Sequence, residues 1–306
     1  MILITSYTNP DLDGVACAVA MAEFLQQRGR EARAGVFGAP GLEAAWFLQQ
    51  YEIPTPPDGQ PLLTPDVTVL LVDASDPMDL SFPADRVIEI MDHRQAHRAD
   101  AFANAKDIQI ELVGSCATLV VERMRAANVV PTRDTARLLS GAIASNTVNF
   151  RAPVTTDRDR VAFAWLTPIA ALPVTFVQEM FVAKSDLRGD RLQEALVGDY
   201  TVKEFGGHRI VIFQLEATGV LNVFRARRAE LEESMRRVCA EERCEFMCCN
   251  GIDLAAATSH VLVIDIESQH VLERALDITF HHGITSFDHI FGRKMMMPRL
   301  KAALEA

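Results

Sequence analysis

The first half of the chain alternates short apolar runs with segments of helical periodicity. The runs that predict buried strands are MILIT, EARAGVFG, DVTVLLVDAS and RVIEIMDH. Apolar positions recur at helical spacing in the longer segments GVACAVAMAEFLQQRG, GLEAAWFLQQY, SCATLVVERMRAAN and TRDTARLLSGAIASNTV. Because strands that alternate with helices usually pair in parallel, this order predicts an α/β fold with a doubly wound parallel sheet.

The second half predicts a smaller α/β domain. The Pro- and Thr-rich segment RAPVTTDRD interrupts the alternation, and more helix follows to Phe181. Residues 185–192 are polar and contain Gly189, which is typical of a linker, so we predict domains at 1–184 and 193–306. The elements predicted in this domain, in the order strand, helix, strand, helix, are HRIVIFQLE, FRARRAELEESMRRVCAEE, SHVLVIDIE and QHVLERALDI.

Composition narrows the classes of partner. The 306 residues carry a formal charge of −11 and no Lys- or Arg-rich run, which disfavours nucleic-acid binding because that binding rests on phosphate neutralisation. No apolar run approaches the ~20 residues of a membrane span, and MILIT is too short for a signal peptide. The six cysteines form no C-x-x-C pair, so we expect free thiols in a reducing cytosol and a cytoplasmic protein.

Side chains that bind metals follow three of the predicted strands in the first half. Asp11 and Asp13 follow the first strand, Asp73 follows a buried apolar run, and Asp92 and His93 end another. The carboxyl ends of parallel strands converge on one crevice, and buried carboxylates are costly unless they are paired or metal-bound. Carboxylates with an imidazole suit Mn²⁺ or Mg²⁺, so the pattern predicts a site for one of these ions.

Two of the candidate positions also have ordinary structural interpretations. Asp11 lies in a turn sequence, NPDLDG, and an Asp there is a good N-cap for the following helix. Ser115 in GSCAT begins a predicted helix, so it is as well suited to capping that helix as to contacting a phosphate. Both alternatives remain open from the sequence.

Taken in order, the motifs resemble those of the DHH phosphoesterases. The N-terminal motifs that carry the resemblance are NPDLD, VDAS, DHR, GSCAT and ASNTVNFRAPVTTD. The later segments FVAKSDLRG, DYTVKEF and FGRKMMMP resemble the branch with a DHHA2 domain, which holds manganese-dependent inorganic pyrophosphatases, exopolyphosphatases and prune-type proteins. The resemblance covers nearly the whole chain and implies a DHH domain followed by a DHHA2 domain.

The resemblance also implies an activity and a metal site. It implies a phosphohydrolase that cleaves a phosphoanhydride with a metal-activated water at the interdomain cleft. By the same resemblance, the ligands of one or two Mn²⁺ or Mg²⁺ ions are Asp11, Asp13, Asp73, His93 and Asn146. Among these, Asp73 and His93 are also expected to be catalytic, together with Arg94.

The substrate expected from the resemblance is a phosphate-containing small molecule: pyrophosphate, a short polyphosphate or a nucleotide phosphate. The residues that the resemblance assigns to its phosphate groups are Ser115, Lys203, Arg293 and Lys294. A homodimer is a further expectation for the partners of this chain.

Three positions depart from the family pattern. Tyr7 stands where the first motif has a His ligand, Arg94 replaces the second His of the DHH motif, and Asn146 stands where the family has an Asp. A phenol with a pKa of ~10 is a reluctant ligand, and an amide lacks the charge of a carboxylate. We therefore expect weaker metal binding, a shift towards Mg²⁺ and slower chemistry. The alternative is an impaired family member that binds a phosphate ligand or a protein partner.

Overall fold

Two units, Met1–Ala183 and Lys184–Ala306, make up the fold. The computed structural model describes residues 1–94 and 97–305. Each unit is built around a five-stranded sheet of its own. Within the described ranges, no helix combines the length and the apolar character needed to cross a membrane.

The first unit has a parallel sheet with the strand order β2-β1-β3-β4-β5. Its strands are β1 (Ile2–Thr5), β2 (Ala32–Ala34), β3 (Thr68–Val72), β4 (Val87–Asp92) and β5 (Asp107–Ile110). Its helices are α1 (Leu12–Gln27), α2 (Leu42–Gln50), α3 (Cys116–Ala126), α4 (Arg133–Asn146), α5 (Asp157–Ala170) and α6 (Phe176–Lys184). The predicted α/β class with a parallel first sheet is confirmed.

The strand order explains where the polar strand ends meet. β1 lies between β2 and β3, so the chain continues to one side after β1 and later returns to the other side. A crevice forms outside the carboxyl ends of the strands at such a switch point. α1 starts directly beyond β1, packs against α3 and α4, and is buried along most of its length. The first turn of α1 is thereby fixed at the crevice.

The second unit has a mixed sheet with the order β10-β9-β8-β7-β6, in which only β7 and β8 pair in parallel among the described strands. Its strands are β6 (Tyr200–Phe205), β7 (His208–Ala217), β8 (Phe246–Asp253), β9 (Thr258–Leu262) and β10 (Ile284–Phe287). Its helices are α7 (Arg191–Gly198), α8 (Val220–Ala226), α9 (Arg228–Glu241), α10 (Ile266–Leu276) and α11 (Arg293–Leu304). Cys248 and Cys249 on β8 enter the cores on opposite faces of the sheet, as free thiols.

The structure differs from the predicted elements at several places. The single long helix predicted from FRARRAELEESMRRVCAEE is wrong, because the chain leaves helical geometry at Arg227 and forms α8 and α9. α7 begins at Arg191, inside the segment predicted to be a linker. The strands β5, β6, β8 and β10 were not among the predicted strands. β5 and β10 are edge strands of four residues with half-exposed side chains, so they lack a strong apolar signal.

Candidate metal centre

Three of the predicted ligands lie together at the carboxyl edge of the parallel sheet. Asp13 is in the first turn of α1, Asp73 directly follows β3, and His93 directly follows β4. One ligand atom from each side chain lies within 4.8 Å of the other two. His93 Nε2 is 3.4 Å from Asp73 Oδ1 and 3.9 Å from Asp13 Oδ2. Two carboxylates and one imidazole at these distances form a donor set that fits a divalent cation such as Mn²⁺.

Asp73 is placed by a sharp turn at the end of β3. Its φ of 53° lies in the left-handed region, which Asp tolerates better than most residues with a Cβ. The turn is held from both sides, because the Asp73 N–H donates to the Met91 carbonyl at 2.8 Å and the Asp73 carbonyl accepts from Arg94 at 3.0 Å. The carboxylate is almost completely buried, and burial together with nearby Asp13 raises the pKa of Asp73 well above its usual value.

Asp13 is held by the N-terminus of α3. The backbone N–H groups of Cys116 and Ala117 donate to its carboxylate at 2.8 and 2.9 Å, and the Ser115 hydroxyl donates at 3.0 Å. The Asn146 side-chain amide donates to the same oxygen as Ser115, at 2.6 Å. These donors and the helix dipole stabilise the negative charge, although burial still raises the pKa of Asp13. Ser115 also caps α3 and is completely buried, while its predicted phosphate contact remains a prediction.

The imidazole of His93 is oriented by the backbone. Its Nδ1 lies 3.0 Å from the Val113 carbonyl, so Nδ1–H donates there and Nε2 faces Asp73 and Asp13. Burial lowers the pKa of His93, but the contacts with Asp73, Asp13 and the Val113 carbonyl together outweigh burial and raise the pKa to about 9. A metal ion must therefore displace a proton from this nitrogen at neutral pH.

Asp92, a candidate from the strand-end pattern, has a supporting position. It is completely buried and accepts from the backbone N–H of His93 at 2.7 Å. The Ser75 hydroxyl also donates to its carboxylate. Asp92 thus fixes the backbone at His93 rather than presenting its own oxygens to the ligand group.

Asp11 has the structural role that the turn sequence allowed. Its Oδ1 caps α1 by accepting from the N–H groups of Asp13 and Gly14 at 2.9 and 3.0 Å. The structure does not bring Asp11 into the group of three ligands. The backbone N–H of Asp11 in turn donates to the Tyr7 hydroxyl at 3.1 Å. Burial and the charges of Asp11 and Asp73 raise the pKa of the Tyr7 phenol well above its usual value.

Arg94 is fixed beside the ligand group from several directions. Its guanidinium lies over the Tyr7 ring, 5.1 Å from the centroid, and pairs with Asp79 at 2.8 Å. It also donates to the backbone carbonyl of Asp73 at 3.0 Å, and its Nε lies 3.8 Å from Asp92. Burial lowers the pKa of Arg94, but the neighbouring carboxylates raise it further, so the guanidinium keeps its charge.

Asp159 is a buried carboxylate that the sequence did not indicate. It supports the metal centre indirectly, through the start of α3. Asp159 on α5 is completely buried and accepts from the Gly114 N–H, the Thr118 hydroxyl, and both the N–H and hydroxyl of Thr156. Asp159 therefore ties α5 to Gly114, in the loop before α3. The first N–H groups of α3 in turn donate to Asp13. The only sequence signal is Thr156-x-x-Asp159, a capping-box spacing at the start of α5.

Asp159→Asn should lower the free energy of unfolding by about 3 kcal/mol, because an amide places N–H groups against the donors that the carboxylate satisfies. It should also weaken Mn²⁺ binding, since Gly114 loses the carboxylate that positions the start of α3. Chemical denaturation and Mn²⁺ titration measure the two effects. Asp157→Asn is the matched control, because Asp157 is exposed in the same helical turn. Equal stability of the two variants would contradict the supporting role of Asp159.

The basic candidates lie in the second unit. Arg293 is the first residue of α11 and forms an ion pair with Asp199. Burial raises the pKa of Asp199, and Arg293 partly offsets that rise. Lys203 is exposed on the edge strand β6, and Lys294 is exposed on α11.

The fold and the ligand group define an α/β protein with a candidate Asp/Asp/His metal centre at a parallel sheet. Residues 1–143 match the profile described as DHH family, N-terminal domain. A probable manganese-dependent inorganic pyrophosphatase of Deinococcus radiodurans is 30% identical over 314 residues, which cover 98% of this chain and 98% of the relative. The chain therefore belongs to the DHH family and is homologous over its full length to the manganese-dependent family II inorganic pyrophosphatases.

A further relative and two solved structures are similar to nearly the whole chain. A probable manganese-dependent inorganic pyrophosphatase of an Exiguobacterium species is 26% identical over 301 residues, covering 96% of this chain and 95% of the relative. A crystal structure from Methanococcus jannaschii, assigned to family II inorganic pyrophosphatase, superposes with a TM-score of 0.79 at 23% identity over 100% of both chains. An exopolyphosphatase-related protein of Bacteroides fragilis superposes with a TM-score of 0.52 at 12% identity, over 99% of this chain and 91% of the other. These two structures support the fold.

Proposed function

We propose that this protein is a metal-dependent hydrolase of a phosphoanhydride, with inorganic pyrophosphate as its first candidate substrate. The observation that carries the proposal is the convergence of Asp13, Asp73 and His93 within 4.8 Å at the switch point of the sheet. The names of the homologues, probable manganese-dependent inorganic pyrophosphatases, support manganese and pyrophosphate as the ion and the substrate to test first. Short polyphosphates and nucleotide phosphates contain the same type of bond and remain substrates within the proposal.

The side chains around the centre suggest how they would contribute. When bound, Mn²⁺ or Mg²⁺ would lower the pKa of a coordinated water and polarise the phosphoryl oxygens. Asp13, Asp73 and His93 would hold the ion, with Asp11 and Asn146 as further proposed ligands. The Nδ1–H bond from His93 to Val113 keeps Nε2 directed at the carboxylates. The fixed guanidinium of Arg94 offers a cationic donor to a phosphate oxygen.

The second unit would supply further phosphate ligands in this proposal. Arg293, Lys203 and Lys294 are the basic residues proposed for this role, and Arg293 is the first of them to test. Its ion pair with Asp199 fixes the guanidinium at the start of α11, and the planar fork of Arg suits two phosphate oxygens.

A second candidate function is a phosphate-binding family member with impaired catalysis. The observation that favours it is Asn146, which uses its amide nitrogen to donate to Asp13 where the family has a carboxylate. Tyr7 adds to this, because its hydroxyl accepts from the backbone of Asp11. Both candidates predict phosphate binding, so they are separated by turnover.

Phosphate release from pyrophosphate, tripolyphosphate and ATP tests the two candidates. The full chain is stripped with EDTA and assayed with no metal, with Mn²⁺ and with Mg²⁺. The hydrolase predicts turnover that depends on added metal for at least one substrate. Binding of imidodiphosphate with metal, without release of phosphate from any substrate, would support the impaired member and rule out the hydrolase.

A further inference from the structure

The three residues that depart from the family pattern are coupled in space to the metal centre. Tyr7 and Arg94 stack on each other, 5.1 Å from guanidinium carbon to ring centroid. Asn146 contacts a ligand of the centre directly, because its amide donates to Asp13 at 2.6 Å. Two of the departures, Tyr7 and Arg94, thus form a contact with each other, whereas the third, Asn146, contacts the ligand Asp13.

The Tyr7 hydroxyl is committed as an acceptor. The backbone N–H of Asp11 donates to it at 3.1 Å, and a phenol oxygen that already accepts this bond is a poor metal ligand. One carboxylate oxygen of Asp11 is committed as well, since its Oδ1 accepts two N–H groups at the start of α1. These are two of the positions from which a second ion, on the Asp11 side of Asp73, would need donors.

Arg94 places a permanent positive charge on this same side. Its donor bond reaches the backbone carbonyl of Asp73 at 3.0 Å, so the guanidinium adjoins the residue that a second ion would share. Asp79 at 2.8 Å and the Tyr7 ring hold the guanidinium in place. A divalent ion placed beside this fixed charge would be repelled by it.

In the part of the chain that the structure describes, the side chains placed to coordinate a metal ion together form one group. Among the described residues, the group of acidic, His and Cys side chains that lie within coordination range of one another is Asp13, Asp73 and His93. Neither Asp11 nor Tyr7 belongs to that group. One position therefore has three protein donors, and the guanidinium of Arg94 lies beside one of the residues that supply them.

We infer that the chain binds one divalent metal ion, at Asp13, Asp73 and His93, and that the guanidinium of Arg94, stacked on Tyr7, takes the place of a second ion. This inference rests on the proposed function for the identity of the centre. The fixed guanidinium would neutralise phosphate charge and bind a phosphate oxygen without carrying a water. Arg94 and Tyr7 would therefore determine how many metal ions the centre accepts.

Metal stoichiometry tests the inference without relying on activity. Apo protein is titrated with Mn²⁺, separated from free ion, and measured by elemental analysis and by EPR of the bound Mn²⁺. The parent chain should bind about one Mn²⁺ and show an uncoupled spectrum, because the exchange coupling of a two-metal site needs ions ~3.5–4 Å apart. Tyr7→His with Arg94→His should raise the content to about two ions, since it restores a neutral donor and removes the fixed charge.

The protein contains a matched control pair. Arg137 lies over the Tyr51 ring at 5.4 Å in the same unit, so Tyr51→His with Arg137→His makes the same chemical change away from the centre. This control should remain at one ion. Asn146→Asp should tighten the binding of that one ion at least tenfold without adding another, because it replaces an amide that donates to Asp13 with a carboxylate.

Failure of the inference and failure of the proposed function give different results. Two ions per parent chain with metal-dependent phosphate release would overturn the inference and leave the proposed function standing. Failure of the folded Tyr7→His/Arg94→His variant to gain an ion would also overturn it, and circular dichroism establishes the folding. One ion per chain without release of phosphate from any substrate would overturn the proposed function alone. Absence of bound Mn²⁺ from the parent chain would overturn both.

Discussion

Asp73→Asn is expected to abolish metal-dependent phosphate release and the stabilisation that Mn²⁺ gives the folded protein. Asp73 provides one of the two carboxylates of the ligand group, and a neutral amide is a much weaker ligand for Mn²⁺. Asn is preferred to Ala here because the left-handed φ of 53° costs Asn less free energy than it costs Ala. Ala would add backbone strain to the loss of the ligand.

The measurement is the midpoint of thermal unfolding with and without Mn²⁺. At an ion concentration 100 times the Kd, the parent should gain about 2.7 kcal/mol, or roughly 5–10 °C for a unit of this size. The variant should gain almost nothing. Without metal the variant loses both a buried charge and the 3.4 Å contact with His93, so the two proteins are compared by the shift that Mn²⁺ causes in each.

Asp100→Asn is the control for this experiment, because Asp100 is an exposed carboxylate in the same unit. It should keep the parent's Mn²⁺ response. A Mn²⁺-dependent shift in Asp73→Asn as large as in Asp100→Asn would show that the ion binds elsewhere.

Arg293→Ala is expected to have the second largest effect, on turnover rather than on metal binding. A charge-assisted contact to a phosphate in the transition state contributes about 2–3 kcal/mol, so kcat/KM for pyrophosphate should fall roughly 30- to 150-fold. The Mn²⁺ affinity should stay the same, because Arg293 belongs to the second unit and the ligand group to the first. Steady-state kinetics and Mn²⁺ titration of the same preparation provide both values.

The loss of Arg293 also leaves Asp199 without its ion-pair partner. The double variant Arg293→Ala/Asp199→Asn removes that carboxylate charge, and it should recover stability without recovering kcat/KM. Lys301→Ala is the control for removal of a basic residue from α11, since Lys301 is exposed in its last turn. Kinetics of Arg293→Ala that match those of Lys301→Ala would exclude Arg293 from substrate binding.

Much of the first unit could be predicted because its signals are local. β1, β3 and β4 are apolar runs that end in polar residues, and α1 follows β1 with helical spacing. Alternation of strand and helix predicts a parallel sheet, and a parallel sheet brings its carboxyl ends to one edge. The proximity of Asp13, Asp73 and His93 therefore followed from the order of elements, and the structure places them within 4.8 Å.

The second unit was predicted less completely, because its signals are weaker. β8 has the sequence FMCCNGID, in which Asn, Gly and Asp are poor strand formers, and it is a strand because it is buried between β7 and β9. The break at Arg227 falls within residues that favour helix, so nothing local indicated it. There tertiary packing overrode the local preference.

The sequence by itself determined the fold class, the family and the residue types available at each strand end. Only the tertiary structure decided what each of those residues does. Asp11 caps a helix, while Asp13, two residues later, accepts hydrogen bonds from the N-terminus of α3 and belongs to the ligand group. The spacing of apolar residues along the sequence reflects the periods of strands and helices, so it predicts these elements but not the contacts between them. The stacking of Arg94 on Tyr7 and the bonds from Gly114 to Asp159 join residues far apart in the chain, and such contacts exist only once the elements have packed.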